Sequence, residues 1–590
     1  MPTGNVLNRT FGDLFSSKSV RYEIPFFQRG YAWEQRQWKK LFEDINEQII
    51  ENVTESRFED EEHFFGPIVV LEKRTNHPSL KRFLVIDGQQ RITTVYLLLA
   101  VIKNMLENKA HLSTDAQKYI NEINALLKND LNEQDDYLKI KVFSTKGDRL
   151  PTFKAVFDQN PYSPYLAEDQ LLYNPNDNKI DEFLKFAKRQ LRDYDVPRLW
   201  NLYQSLIKSL KIVWIPLDET KDDAQAIFES LNDAGMPLSA SELLCNYIFR
   251  PITNDTTNEH EKLHNDKWLA SRRAVGSHIF EDYLRDLFSI GEKKRVGLAR
   301  RMYVHYKTKN RNLTPERAKA TLETIFNFTG IYNQIAKPIQ HPHNNPNIRR
   351  LLMNIAETNM TTIYPFLMAL LNALNEAKLT VDETINLLNQ TYILLVRRKI
   401  TSLPVTKYDT FFPSLLDKIL YEPDKIKAFH AHIQLEQLWV SDQIFSEAFS
   451  QKALYNQREL NFTRHVLQEL DKKMQNFGEH PDYSTIDTIE HILPQTLNDD
   501  WRKYLGQDAT QYNLPTIIDT LGNLCLNSRP ANSSFGQKSF TDKQNAYTEL
   551  SALARDVKSR TGPWNINAIE QRSKDLAAEA LKVWAWHSNN

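Results

Sequence analysis

R-F-L-V-I-D-G-Q-Q-R (Arg82 to Arg91) runs from strand-like residues straight into an acid, a glycine, two amides and a guanidinium. Thr93–Leu106 follows with a mostly apolar face at helical spacing, so D-G-Q-Q-R sits where a strand ends and a helix begins. That junction marks an α/β layer. It also gathers groups suited to phosphate: the free amides of a helix N-terminus and the Arg91 fork, with Asp87 placed to hold a cation or position water. It is not a Walker A loop, because the chain has no G-x-x-x-x-G-K-[ST]. Upstream, I-P-F-F-Q-R-G-Y-A-W (Ile24 to Trp33) is broken by Pro25 and Gly30, which predicts an extended segment and a turn leading into a helix from about Glu34 to Ile50. Strands are predicted at Phe64–Leu71 and Leu210–Leu217. After the second come a helical stretch over Ala224–Leu231, a turn at Asn232–Gly235 and a helix near Ser239, where Ser239 and Glu242 have capping-box spacing. Taken alone, Asp87-Gly88 also fits a plain turn, and Tyr31, Trp33 and Trp38 fit packing better than base stacking.

The chain has 590 residues, beyond the size of one core, so two large domains with a helical insert are expected. An apolar fraction of 41% and a charged fraction of 25% suit a helix-rich globular protein. The net charge of -1 does not by itself mark a nucleic-acid binder, so local distribution has to decide. Cys245 and Cys525 are far apart and make neither a disulfide framework nor a zinc site, which suits a reducing compartment. Met1–Thr10 lacks a signal-peptide core, and Val95–Ile102 and Tyr392–Val396 are too short to span a bilayer; the expected location is cytoplasmic, with no membrane partner. The spacing predicts divisions at 1–253, 254–440 and 441–590, the second mainly amphipathic helices that run on to about Gln475.

A second chemical motif lies near the end. T-I-D-T-I-E-H-I-L-P (Thr485 to Pro494) is an extended run closing on Glu490-His491; L-G-N-L (Leu521 to Leu524), Asn532 and then Phe535, Lys538, Phe540 and Lys543 follow. Phosphodiester hydrolysis needs a base to activate water and a hard cation to neutralise charge. An imidazole at a strand end supplies the first, and a carboxylate with an amide oxygen suits Mg or Mn for the second. Alone, Glu490-His491 fits a surface pair; the ordered combination favours the nuclease reading.

Between Gly291 and Arg311 eight basic residues, among them Lys293, Lys294, Arg295, Arg300 and Arg301, face one acid, Glu292. Such a run suits either a solvated helix face or a DNA-backbone grip. Arg397-Arg398-Lys399 is expected to pair with acids between domains.

The C-terminal pattern resembles the HNH (ββα-metal) nucleases, in the version at the end of GmrSD-like type IV restriction enzymes. The resemblance implies His491 as general base, Glu490 and Asn532 as metal ligands, and Asn523 as the residue that orients His491 and braces the loop, with Asn527 and Asn545 as rivals to Asn532. The N-terminal motifs, including A-I-F-E-S-L-N-D-A-G-M-P-L-S (Ala226 to Ser239), resemble the ParB-like domain of the same systems. That implies nucleotide binding through Asp87, Gly88, Gln89, Gln90 and Arg91 with Gln28 and Arg29, the triphosphate being GTP, ATP or UTP. The expected fold is mixed and helix-dominated: an α/β ParB-like domain, a helical middle and a small α+β HNH domain. The expected function is a nucleotide-regulated, metal-dependent endonuclease restricting modified phage DNA; a homo-oligomer is compatible with it. The rivals are a nucleotide-switched DNA-binding module with an inactive nuclease part, and a nicking nuclease indifferent to nucleotide.

Overall fold

The computed structural model describes residues 6–55, 63–73, 80–109, 114–131, 136–157, 173–174, 178–217, 238–252, 259–475, 481–511, 514–547 and 551–586. The fold is helix-dominated and mixed, as expected, and it divides into two compact units. The first comprises 1–269 with 303–322, and the second comprises 270–302 with 323–590. Among the described residues no helix is long and apolar enough to cross a membrane.

The first unit is built on a six-stranded sheet. Its strands are β1 (Leu7–Thr10), β2 (Val20–Glu23), β3 (His63–Lys73), β4 (Lys81–Asp87), β5 (Val142–Phe143) and β6 (Leu210–Leu217), in the order β1-β6-β3-β4-β2-β5. β3 pairs antiparallel with β4 and parallel with β6, so the two long apolar runs recognised in the sequence lie at the sheet centre. β1, β2 and β5 have only two to four residues each, too short for an alternation pattern to show. The Gln89–Lys109 helix leaves β4 and is buried almost all round, with Val95 to Leu99 fully covered. Its continuous run V-Y-L-L-L-A-V-I therefore reflects a helix packed on several sides. The Ser239–Glu242 capping box is formed in both directions, Glu242 N donating to Ser239 Oγ at 3.2 Å and Ser239 N to the Glu242 carboxylate at 2.8 Å. Residues 218–237, which include most of the Ala226–Ser239 motif, lie outside the described residues.

In the second unit the Val381–Ile400 helix packs on the Asp442–Gln451 helix, so the stretch after Ser441 shares a core with the helices before it. Arg397 is fully buried there. Its guanidinium donates to the carbonyls of Trp584 (2.8 Å) and Val440 (3.0 Å) and meets Asp442 at 2.7 Å. Arg398 donates to the carbonyls of Leu438 and Pro404. The expected pairing with acids thus holds for Lys399, which meets Glu459 at 2.9 Å, and in part for Arg397, whereas Arg398 collects carbonyls.

Arg397→Ala leaves the carbonyl of Trp584 without its donor, at a cost of about 1–3 kcal/mol, while Val440 O still accepts from Trp586 Nε1. Urea unfolding should therefore show a loss of roughly 1–3 kcal/mol, and an unchanged midpoint would mean that the staple is not needed.

Candidate functional site

The C-terminal motif folds as two strands and a helix. β7 (Thr488–His491) pairs antiparallel with β8 (Leu524–Asn527), setting Glu490 opposite Cys525 and His491 opposite Leu524, and the Arg529–Phe535 helix follows β8. The stop of β7 at His491 is imposed by Asn523. Its side chain accepts from Leu493 N (2.7 Å) and donates to Leu493 O (2.8 Å), so the chain after His491 is clamped like a strand neighbour. Asn523 also donates to Ile518 O and accepts from Trp564 Nε1. Gly522 is needed beside it, because a Cβ there would stand 2.1 Å from the carbonyl oxygen of Ile569 on the packed final helix.

Bracing of the loop by Asn523 is therefore seen, but its amide does not touch the imidazole. The side chain that meets the imidazole is Asp519, whose Oδ1 lies 3.0 Å from His491 Nε2. Gln495 donates to the same oxygen (3.1 Å), and the Tyr455 ring stands edge-on to the imidazole at 4.4 Å between centroids. Burial pulls the His491 pKa below its ordinary value, and Asp519 opposes that shift without cancelling it. Burial thus disfavours the charged ring, and a general base must be uncharged to take a proton.

Glu490 is 5% exposed, and its carboxylate meets the Lys543 ammonium at 2.6 Å. Lys543, fully buried, also donates to His491 O (2.9 Å), tying the Phe540–Ala546 helix to the end of β7. Burial pushes the Glu490 carboxyl up and the Lys543 ammonium down, and the contact between them opposes both shifts. Asn532 donates from Nδ2 to Ile489 O (3.2 Å), which holds its amide against β7 beside Glu490. Asn527 sits across from Thr488, and Asn545 is exposed. Among the described residues no group of three or more His, Cys, Asp and Glu is arranged for a metal. Asp519 has no counterpart among the sequence motifs, a lone acid before L-G-N-L carrying no local signal, and Lys543, which stands in the C-terminal motif, acquires a partner only here.

In the first unit the structure brings the two N-terminal motifs together. Gln28 Nε2 donates to Ile86 O at the end of β4, and Gln90 holds the Gly30–Ala32 turn by donating to Gly30 O (3.1 Å) and accepting from Ala32 N (2.7 Å). Asp148 receives Tyr31 N at 2.6 Å from the other side, and burial raises its pKa to about 6. Gly88 has φ +88° and lies against the backbone of Pro67 and Ile68, where a Cβ would come within 2.9 Å. Arg91 Nη1 donates to Pro67 O (2.9 Å) and lies 3.7 Å from Asp87, so its fork is partly committed to β3. The shielded side-chain oxygens of Gln28 and Gln89 have no hydrogen-bond partner among the described residues. Arg29 is half-buried nearby in the same segment. Tyr31 and Trp38 are core, joined by Trp38 Nε1 donating to Tyr31 OH, and this removes them as base-stacking platforms.

Of the basic run, Lys293, Lys294, Arg300 and Arg301 are exposed. Arg295 is a correction: its fork closes on the buried Asp286 at 2.6 Å, so it is turned inward and is no part of a DNA-facing patch.

Residues 11–249 match the family model described as the GmrSD restriction endonuclease N-terminal domain, and residues 439–579 match that of the GmrSD restriction endonuclease C-terminal domain. The chain belongs to the GmrSD restriction endonuclease family. Its substrate is accordingly DNA. A search of curated proteins found no match. Within this GmrSD chain, His491, Glu490, Asn523 and Asn532 fall in the C-terminal match, and the D-G-Q-Q-R junction falls in the N-terminal one.

Lys543→Ala leaves the Glu490 carboxylate buried without its counter-ion, a loss of about 3–5 kcal/mol, and Glu490→Gln on that background should recover part of it. Denaturation midpoints of the four proteins form a double-mutant cycle; strict additivity would mean that the pair does not interact.

Proposed function

We propose that the chain is a nucleotide-regulated, metal-dependent DNA endonuclease of HNH type that restricts modified phage DNA. The observation that carries this reading is the placement of His491: a mostly buried imidazole at a strand end, one residue from a carboxylate and beside an amide held on the same strand. The imidazole takes a proton from water, and the resulting oxygen nucleophile forms a bond to phosphorus. The phosphodiester bond to the leaving oxygen breaks, and that oxygen takes up a proton from solvent.

The donor set is a carboxylate and an amide oxygen with no thiolate, which fits a hard divalent cation such as Mg or Mn. Glu490 and Asn532 would hold it, Glu490 sharing its charge with Lys543. When bound, such an ion neutralises charge on the phosphate and the leaving oxygen. Lys293, Lys294, Arg300 and Arg301 supply exposed positive charge for the DNA backbone.

For the sensor, the two orphaned amide oxygens of Gln28 and Gln89 support a nucleoside at D-G-Q-Q-R, since they would accept from hydroxyl or amino donors. One observation favours the rival in which nucleotide plays no part: Arg91 already donates to Pro67 O.

His491→Ala should lower DNA cleavage by roughly two to four orders of magnitude with DNA affinity retained, because it removes a base and no positive charge needed for grip. Near-parental nicking by the folded variant in saturating Mg would end the assignment. For the N-terminal site, Asp87→Ala and Gln89→Ala should each suppress triphosphate hydrolysis by the full chain; parental turnover in both would leave D-G-Q-Q-R a turn and favour the nucleotide-independent nuclease.

A further inference from the structure

We propose that Asp519 is the positioning residue of the nuclease site, holding His491 as the Nε2–H tautomer so that Nδ1 is the atom that takes the proton from water. The inference rests on the reading of His491 as the base and adds which nitrogen acts and what fixes it.

An ionised carboxylate only accepts hydrogen bonds, so the 3.0 Å contact requires Nε2 to donate to Asp519. In a neutral imidazole the other nitrogen then carries the lone pair. Nδ1 has no hydrogen-bond partner among the described residues, which leaves it for water. The Tyr455 ring, edge-on to the imidazole, restricts rotation about the ring's own axis.

Asp519 is itself fixed from two directions. Its carbonyl accepts from Tyr455 N (3.1 Å), and its neighbour Thr520 bridges to Ala453. Thr520 N and Oγ1 both donate to Ile517 O, and Asn523 N donates to Thr520 O, closing the turn that leads into β8. The carboxylate therefore reaches His491 from a backbone tied to the same turn that ends β7. An incidental surface pair would not have both partners anchored this way: the side chains of His491 and Asp519 are 10% and 27% exposed.

The test uses the purified full chain and a plasmid substrate in Mg or Mn, with His491→Ala, Asp519→Ala, Asp519→Asn and the His491→Ala/Asp519→Ala double variant. Asp519→Ala should lower kcat by about 10²- to 10⁴-fold with little change in KM, as expected for an imidazole left in the wrong tautomer. Asp519→Asn, whose amide N–H can donate to Nε2 and hold the opposite tautomer, should not restore the rate. The double variant should be no slower than His491→Ala alone. The second readout is the 15N spectrum of histidine-labelled protein, with His491 assigned among the 15 histidines by its loss in His491→Ala. The parent should show the Nε2–H tautomer, and Asp519→Ala should show a mixture. If His491→Ala is inactive while Asp519→Ala keeps the parental kcat, the positioning role is overturned and the base survives. An unchanged His491 spectrum in Asp519→Ala overturns it too. If His491→Ala itself cleaves normally, it is the base that fails, and the spectrum still decides whether Asp519 sets the tautomer.

Discussion

The amide of Asn523 makes four hydrogen bonds and has no capacity left over. Its oxygen accepts from Leu493 N and Trp564 Nε1, and its nitrogen donates to Leu493 O and Ile518 O, all without exposure to solvent. Through these bonds one side chain ends β7, closes the turn before β8 and ties both to the indole that precedes the final helix. The position of His491, of Asp519 and of the Glu490–Lys543 pair follows from that frame. An aspartate at 523 would lose two donors, and a leucine all four bonds, each in a place where water cannot substitute.

Much of this was legible in sequence wherever the signal was local. The central strands, the strand-to-helix junction at Asp87 and the capping box at Ser239 each depend on neighbours within a few residues, and the structure forms each of them. L-G-N-L was legible as a motif but not as a mechanism. The glycine is there because Ile569 backbone packs on it, a contact 47 positions away in the chain. Asp519 and Lys543 reach His491 and Glu490 across 28 and 53 positions, and no periodicity encodes such a distance. Asp148 likewise comes from a distant turn to hold Tyr31.

Counting charges misled for a related reason. A run of basic residues suggests a field facing solvent, yet the direction of each guanidinium is set by packing. Arg295 closes on Asp286, Arg397 and Arg398 collect carbonyls, and Arg572 donates to Gly522 O and Leu524 O while pairing with Asp556. Arg572 thus supports the same turn as Asn523 from beneath. Arginine is suited to this work because a planar fork can satisfy several fixed acceptors at once.

The Lys543 ammonium gives the nuclease fold an independence that many small metal-binding modules lack. In those modules the ligand cluster repels itself until an ion arrives, and removing the ion unfolds the chain. Here the buried acid of β7 is neutralised from within, by a side chain of the next layer that also holds the strand's last carbonyl. The end of β7 is therefore closed by protein groups alone among the described residues. The strands, the turn and the imidazole are thus held in place by the chain's own side chains.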